Sequence, residues 1–396
     1  MKSYLCNKMA DRVKRLVDPT VQNTLKMASQ PGIISLAGGM PNPKLFPITE
    51  IGLAMDKILK YQGERILQYS RTGGTTELKK IIAGRLSDKW QKQVNEDEVL
   101  ITTGSQQALD LLGKAFLDKN DLVITENPTY LVAISAFNGY EVKYATVELL
   151  EDGVDINQLE NIINKFKGKI KFIYVIPTFQ NPSGVCWSNW TRKKVIALIR
   201  KNNCILIEDD PYSELYFDKK PPQSLAVYSH KDLVIYLGTF SKTLCPGLRI
   251  GYIVANKELI NKLCLIKQGM DLHSPTLSQA IVANLLKNKK NYNIHLKKLR
   301  KYYKSNCCFM LKCLSKYLKN KAYWTVPMGG LFVWVTIPGV DCRKFYQKSI
   351  LNGVAFMPGY AFYATKTKND TIRLSYATVT KNEINEGIKK LSRLLE

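Results

Sequence analysis

From Ile48 onward, short apolar runs rich in β-branched residues alternate with stretches whose apolar positions recur every three or four residues. "EVLIT", "DLVIT", "KFIYVIP", "CILIED" and "LVIYLGTF" have the first character; "QQALDLLGKAFL", "YLVAISAFN" and "RKKVIALIRKNN" have the second. Such alternation of strand and helix predicts an α/β fold of three layers, a mostly parallel sheet covered by helices on both faces. Ahead of it, residues 1–30 read as polar helix, and "PGIISLAGGMPNPKLFP" breaks that pattern with four prolines and three glycines. Beyond about residue 285 the chain turns helical and strongly basic, then offers "GGLFVWVTI" and "TIRLSYA" as further strands before a final helix. The expected organisation is a large domain over residues 48–285 and a smaller α+β domain built from residues 1–47 and 286–396.

Charge adds a question to this picture. Lysine and arginine outnumber aspartate and glutamate by 58 to 33, a net charge of +25, which raises nucleic acid or an anionic membrane as partners. The basic residues, however, are scattered through helix-like segments such as "NLLKNKKNYNIHLKKLRKYYK", with no zinc-finger spacing, basic zipper or aromatic ribonucleoprotein motif. They read as solvated helix faces, and neither nucleic acid nor a membrane is expected as a partner. No segment approaches the roughly eighteen uncharged apolar residues of a membrane span, and "MKSYLCNKMADRVKRL" lacks the apolar centre of a signal peptide. A soluble cytoplasmic protein is the expectation. The nine cysteines include no C-x-x-C pair, so neither a disulfide framework nor a metal site is expected. Cys307, Cys308 and Cys313 with His295 are poorly spaced for a metal.

In an open α/β sheet, ligands bind beyond the carboxyl ends of the strands, and the unusual polar residues here follow apolar runs. "VLITTGSQQALDLLGKAF" places Gly104, Ser105 and Gln106 between a strand and a helix, where free N–H groups attract a phosphate, or where Ser105 is a plain helix cap. Neither a Walker loop nor G-x-G-x-x-G is present. "CILIEDDPYSELYF" ends a strand with Asp209 and sets Tyr212 in the following turn, suited to a cationic group such as a protonated pyridine, or simply to capping the turn. "FIYVIPTFQNPSG" delivers the Asn181 amide beyond a strand, although Asn-Pro is also a turn signal. In "GTFSKTLCPGLRIGY", Lys242 stands in a loop with Thr239, Ser241 and Arg249, where desolvation would lower its pKa as a Schiff-base lysine requires, unless water solvates it. Each feature has an ordinary local explanation; in this order they map onto one cofactor, pyridoxal 5′-phosphate. Its aldehyde needs a lysine, its pyridinium an acid, its phenolic oxygen hydrogen-bond donors, and its phosphate a helix N-terminus.

Taken with "LAGGMPNPKLFP", "LQYSRTGG", "ENPTY", "KQGMDLHSPTLSQ", "PMGGLFVW" and "IRLSYA", these motifs resemble the fold-type I, class I/II pyridoxal phosphate aminotransferases. The likeness is to the subgroup acting on 2-aminoadipate, kynurenine and related aromatic or branched-chain substrates. The resemblance implies transfer of an amino group from an L-amino acid to a 2-oxo acid, with 2-oxoglutarate the expected acceptor, by a ping-pong mechanism. It makes Lys242 the lysine that carries the cofactor as an imine and shuttles the proton. It makes Asp209 the partner of the pyridine nitrogen, Tyr212 and Asn181 the donors to the phenolic oxygen, and Tyr130 the residue stacked on the ring. Gly104, Ser105, Gln106, Thr239, Ser241 and Arg249 become the phosphate cradle, completed by Tyr69 from a neighbouring subunit, which implies a homodimer with shared active sites. Arg373 becomes the grip on the substrate α-carboxylate, with Gly39 and Asn181 beside it.

The chain departs from the subgroup in its N-terminal segment. "DPTVQNTLKMASQPG" has no arginine to hold a distal carboxylate and offers Gln22 and Asn23 instead, which speaks against strict use of 2-aminoadipate. Arg71 in "QYSRTGG" stands where proline is common, either as a replacement charge near the pocket or as a solvent-facing residue. Leu272 and His273 are further pocket candidates, and Cys245 reads as a small loop filler. The same cofactor residues serve β-lyases and oxygen-dependent oxidases. A regulator with this fold as its effector domain would need a DNA-binding module ahead of it, for which about thirty residues are too few.

Overall fold

In a computed structural model, residues 8–10, 12–13, 26–27, 30–229, 232–365 and 368–396 are described. Gln22, Asn23 and most of the helix expected over residues 1–30 lie outside the described residues. The chain forms β1 (Ile34–Ser35), helices α1 (Ile48–Leu67) and α2 (Thr76–Trp90), then β2 (Val99–Thr102) leading into α3 (Gly104–Phe116). Next come β3 (Leu122–Asn127), α4 (Leu131–Asn138), β4 (Lys143–Leu150), β5 (Gly153–Val154), α5 (Ile156–Lys165) and β6 (Ile170–Val175). They are followed by α6 (Asn189–Asn202), β7 (Leu206–Asp210), α7 (Leu225–Tyr228), β8 (Val234–Thr239), β9 (Gly251–Val254), α8 (Lys257–Asp271) and α9 (Thr276–Lys287).

These strands form one eight-stranded sheet in the order β2-β9-β8-β7-β6-β3-β4-β5. Strands β8, β7, β6, β3 and β4 are mutually parallel. β9 runs antiparallel to both β8 and β2, so β2 runs with β8 and ends at the same edge of the sheet. The parallel strands are apolar on both faces because helices cover both. One face packs against α3, α4 and α8 through Leu109, Leu112, Phe137 and Leu263. The other carries Leu159, Ile163, Val195 and Ile199 of α5 and α6. Local signals agree with this layout. Asp155 and Ser188 accept backbone N–H bonds that start α5 and α6, and α6 stops where Asn203 turns left-handed, at φ 50°.

The remainder is α10 (Lys289–Tyr317), β10 (Tyr323–Trp324), β11 (Phe332–Thr336), α11 (Cys342–Leu351), β12 (Val354–Ala355), β13 (Met357–Pro358), β14 (Thr371–Ser375) and α12 (Lys381–Arg393). A four-stranded antiparallel sheet, β10-β11-β14-β13, packs under α10 and α12 through Tyr303, Met310, Val333, Leu374 and Ile388. β1 pairs with β12 in parallel, Ile34 opposite Val354, and Leu36 continues the contact by accepting from Ser375 N at 2.8 Å. The segment around residue 37 is thereby laid across the C-terminal sheet, beside Arg373.

No described helix is long and apolar enough to cross a membrane. Among the described residues, no group of three or more His, Cys, Asp or Glu is placed to hold a metal ion. His295 instead bonds Thr243 O through Nε2 at 2.7 Å, while Cys307 and Cys313 are buried and Cys308 is exposed.

Candidate active site

The carboxyl ends of β6, β7 and β8 surround a cavity of about 170 Å³ lined by Ser105, Gln106, Tyr130, Asn181, Asp209, Tyr212, Thr239, Ser241, Lys242 and Arg249, among others. Ten of the residues singled out in the sequence thus meet in one place. Asp209 lies inside β7, one residue before its end.

The helix α3 begins at Gly104, so Ser105 is its second residue and does not cap it; the cap position belongs to Thr103, whose side chain makes no capping bond. Thr103 Oγ1 is held elsewhere, donating to Asp271 Oδ2 at 2.8 Å, and Asp271 Oδ1 accepts from Lys267 Nζ at 2.5 Å. The first-turn N–H groups are left free of a side-chain cap, as an anion-binding helix start requires. Two glycines allow the backbone to close here. A Cβ on Gly251 would lie 2.7 Å from Ser105 N, and one on Gly104, at φ +76°, would lie 2.6 Å from Arg249 Nη2. Arg249 is itself left-handed, at φ 52°, ending the short turn Pro246–Leu248 that follows the buried Cys245. Thr239 Oγ1 donates to Ser241 Oγ at 3.0 Å and accepts from Ser241 N at 3.1 Å, which fixes both hydroxyls at this wall.

Asp209 is buried, and Tyr174, also buried, donates its hydroxyl to Asp209 Oδ2 at 2.8 Å. The other oxygen, Oδ1, is buried with no hydrogen-bond partner among the described residues. Burial raises the Asp209 pKa to about 7, against the lowering effect of the Tyr174 bond. A buried acceptor with an unused lone pair is costly, and a cationic N–H of a flat ring is a group that would satisfy it. Lys242 Nζ donates to Gly39 O at 3.0 Å. Burial brings its pKa down to about 8, helped by the positive charges of Arg373 and Arg249 and opposed by Asp209. Burial also pushes the Tyr130 hydroxyl up to about 12.

Arg373, on β14, is buried between Phe332 and Phe362, its guanidinium carbon 4.2 and 5.0 Å from the ring centres. Nη1 donates to Asn181 Oδ1 at 2.8 Å and Nη2 to Ala37 O at 2.7 Å, while Nε has no partner among the described residues. Burial lowers its pKa to about 10. Gly39 lies against it: a Cβ there would stand 3.6 Å from Arg373 Nη2.

The site therefore offers a neutral-prone amine, a lone carboxylate oxygen and an anion cradle on one cavity, with a preorganised guanidinium behind it, bonded to the lining residue Asn181; the set suits a flat, phosphorylated, cationic heterocycle and a carboxylate substrate. Residues 33–391 match the family Aminotransferase class I and II.

The chain belongs to that family.

Among its relatives, the aromatic-amino-acid aminotransferase 1 of Thermococcus litoralis is 37% identical over 95% of this chain and 91% of its own length. A solved α-aminoadipate aminotransferase from Thermus thermophilus, complexed with N-(5′-phosphopyridoxyl)-L-leucine, is 38% identical with a TM-score of 0.92, over 99% of this chain and 98% of that one. A kynurenine aminotransferase from Pyrococcus horikoshii is 37% identical with a TM-score of 0.95, again over 99% and 98%.

The remaining expected residues of this aminotransferase fall outside the cavity. Tyr69 is 79% exposed and meets His273 edge-on, ring centres 6.0 Å apart, so it does not reach the cavity of its own chain. Leu272 turns through φ +60° beside it. Arg71 is exposed and makes no ion pair among the described residues. Sequence reasoning missed Tyr174, the Lys267–Asp271 pair, Phe332, Phe362 and Glu126. Buried Glu126 accepts from Ile176 N at 3.0 Å, Gln180 Nε2 at 3.2 Å and Trp187 Nε1 at 3.2 Å, which fastens the backbone leading to Asn181. The charge of Glu126 inside the apolar run that ends in "ENPTY" was the available signal.

The displaced Lys242 pKa has a direct check in the cofactor-free protein. Below about pH 8 the amine is an ammonium ion and unreactive; above it, Lys242 is neutral while surface lysines remain charged. Reductive methylation with formaldehyde, followed by peptide mass spectrometry, should modify Lys242 with a midpoint near pH 8. A midpoint near 10.5, the ordinary value, would show that burial does not tune this amine.

Proposed function

We propose that this aminotransferase moves the amino group of an L-amino acid to a 2-oxo acid, with 2-oxoglutarate as acceptor, in a ping-pong cycle on pyridoxal 5′-phosphate. The observation that carries the reading is the pairing, on one cavity, of the partly buried Lys242 amine with an Asp209 oxygen that has no hydrogen-bond partner among the described residues. When bound, pyridoxal phosphate supplies an aldehyde to take up the amino group and a protonated ring to delocalise the electron pair left at the substrate Cα.

The chain's own groups do the rest. Asp209 Oδ1 would hold the protonated ring nitrogen, with Tyr174 holding the other oxygen. Tyr212 and Asn181 would donate to the phenolic oxygen, Tyr130 would cover the ring face, and the start of α3 with Ser105, Gln106, Thr239, Ser241 and Arg249 would hold the phosphate. Lys242 Nζ, whose pKa burial brings down to about 8, would accept the Cα proton in its neutral form and return it to the carbon that was the cofactor's aldehyde. Arg373 takes the substrate α-carboxylate as a two-pronged grip, and the same grip serves the oxo acid in the second half of the cycle. The Phe332 and Phe362 rings exclude water from it, which strengthens the contact.

A homodimer is part of the proposal. It is supported by the exposure of Tyr69 together with that of Ile48, Leu53, Tyr61 and Leu67 on the neighbouring helix α1, which a second copy would cover. A cytoplasmic location is supported by the eight unpaired cysteines among the described residues.

The test is the visible spectrum of the holoenzyme titrated with a panel of amino acids. A donor should bleach the yellow band and 2-oxoglutarate should restore it. Bleaching that needs oxygen and releases peroxide, or that yields ammonia without restoration, would replace transamination with oxidation or elimination. Arg373→Gln should lower kcat/KM for the donor by about 10²-fold or more, because a buried charged contact is worth about 2–5 kcal/mol. The loss should be absent for an amine that lacks the α-carboxylate.

A further inference from the structure

The cofactor cavity is not the largest in the molecule. A second one, of about 460 Å³, lies between α2, the 211–224 loop and the start of α10, and shares only Pro211 and Thr239 with the first. Neither Lys242, Asp209 nor Arg373 lines it. Its size falls within the range of small-molecule sites, about 300–1,000 Å³.

Its lining has two halves. Leu86, Tyr236, Phe240, Tyr252 and Leu296, all buried, make an apolar and aromatic wall. The charged half is nearly matched within itself. Glu214 accepts from Arg85 at 3.0 Å and from Tyr292 Oη at 2.8 Å. Asp210 faces Lys89 at 3.5 Å, and Asp88 faces Lys289 at 3.1 Å. With Asp88, Asp210 and Glu214 each engaged by a cation, Arg300 and the rim residue Lys220 have no carboxylate partner among the described residues.

Arg300 is not a loose surface charge. Its Nε donates to Glu214 O at 2.7 Å, and its guanidinium carbon stands 3.7 Å from the centre of the Tyr216 ring. One bond and one stacked ring fix the plane, and neither terminal nitrogen makes a hydrogen bond or ion pair among the described residues. A guanidinium fork pinned in this way has lost its orientational freedom before any ligand arrives, which is the condition for two-pronged binding of a carboxylate. Inorganic anions would use the fork but leave the aromatic wall bare.

We propose that this cavity is a second ligand site, separate from the substrate site, for a small organic carboxylate with a flat apolar body. The carboxylate lies on the Arg300 fork and the body lies against Phe240, Tyr252 and Leu296. The loop of residues 211–216 carries Tyr212 on one side and Ser213, Glu214 and Tyr216 on the other, so the ligand would rest on the segment that positions a cofactor contact.

The probe is naphthalene-1-carboxylate, titrated into the holoenzyme by calorimetry. Arg373→Gln removes binding at the substrate site, and in that background one probe per protomer should still bind. Adding Arg300→Gln should weaken it at least tenfold, and Asn293→Trp, at an exposed rim position, should block it sterically. Both changes placed in the wild-type enzyme should leave kcat unaltered and a single cooperative melting transition, lowered by no more than a few degrees in Arg300→Gln for its lost bond to Glu214 O and stack on Tyr216, which separates loss of a ligand site from misfolding. Binding that disappears with Arg373→Gln and survives Arg300→Gln would overturn the proposal. So would displacement of the probe by sulfate at equal concentration, which would mark an inorganic-anion site.

Discussion

Lys242→Ala should reduce the rate of transamination by about 10⁴-fold or more, the combined loss of a proton shuttle and of the covalent anchor for the cofactor. The change is local. Lys242 contributes one hydrogen bond, to Gly39 O, while the helix start at Gly104, Asp209 and Arg373 stand on other elements. The variant should therefore melt as a folded protein and still bind pyridoxamine phosphate, measured by equilibrium dialysis. Rapid-mixing absorbance with a good donor checks the chemistry. A fall of less than tenfold would assign the proton transfer to another group.

Asp209→Asn should have the second largest effect, and opposite consequences for affinity and stability. On the proposed role, the ring nitrogen would lose its charged partner in a buried setting, a loss of about 3–5 kcal/mol. Affinity for pyridoxamine phosphate and kcat should each fall by about 10²–10³-fold. The cofactor-free protein should behave the other way. An unfolded Asp209 ionises near 3.8, whereas in the fold its pKa is about 7. Between these values the folded state binds more protons, so stability falls as pH rises, and the deficit is complete above about pH 7. Removing the charge should stabilise the cofactor-free protein at pH 8 by up to a few kcal/mol, with little gain at pH 4. Denaturant titrations at the two pH values measure this directly. A variant less stable than the parent at pH 8 would show that Asp209 is satisfied without the cofactor.

Both predictions concern residues that the sequence made visible, and the reason is topological. Parallel strands buried on both faces read as apolar runs, so polar residues at their carboxyl ends stand out, and Lys242, Asp209 and Asn181 are all of that kind. The same rule hides what lies within a strand. Tyr174 sits inside the apolar run of β6 and looks like core until its hydroxyl is seen at Asp209. The reversed direction of β9 was also hidden, because "IGYIVAN" encodes a strand without encoding its sense. Contacts distant in sequence were the least legible. Phe332 and Phe362 around Arg373, and the second cavity assembled from α2, the 211–224 loop and α10, exist only once the chain has folded back on itself.

The pairing of β1 with β12 bears on the order in which the active site is completed. Arg373 reaches Ala37 across 336 residues, and the strands that align them, Ile34–Ser35 and Val354–Ala355, are nearly as distant. On a ribosome the first of these segments emerges early and must wait for almost the whole chain. The large sheet, whose last strand ends at Val254, can assemble meanwhile from nearer neighbours, since closing shorter loops costs less entropy. The cradle residues of this chain, Gly104 to Arg249, are thus all synthesised well before Arg373, and a chain stopped short of residue 371 would carry them without the carboxylate grip.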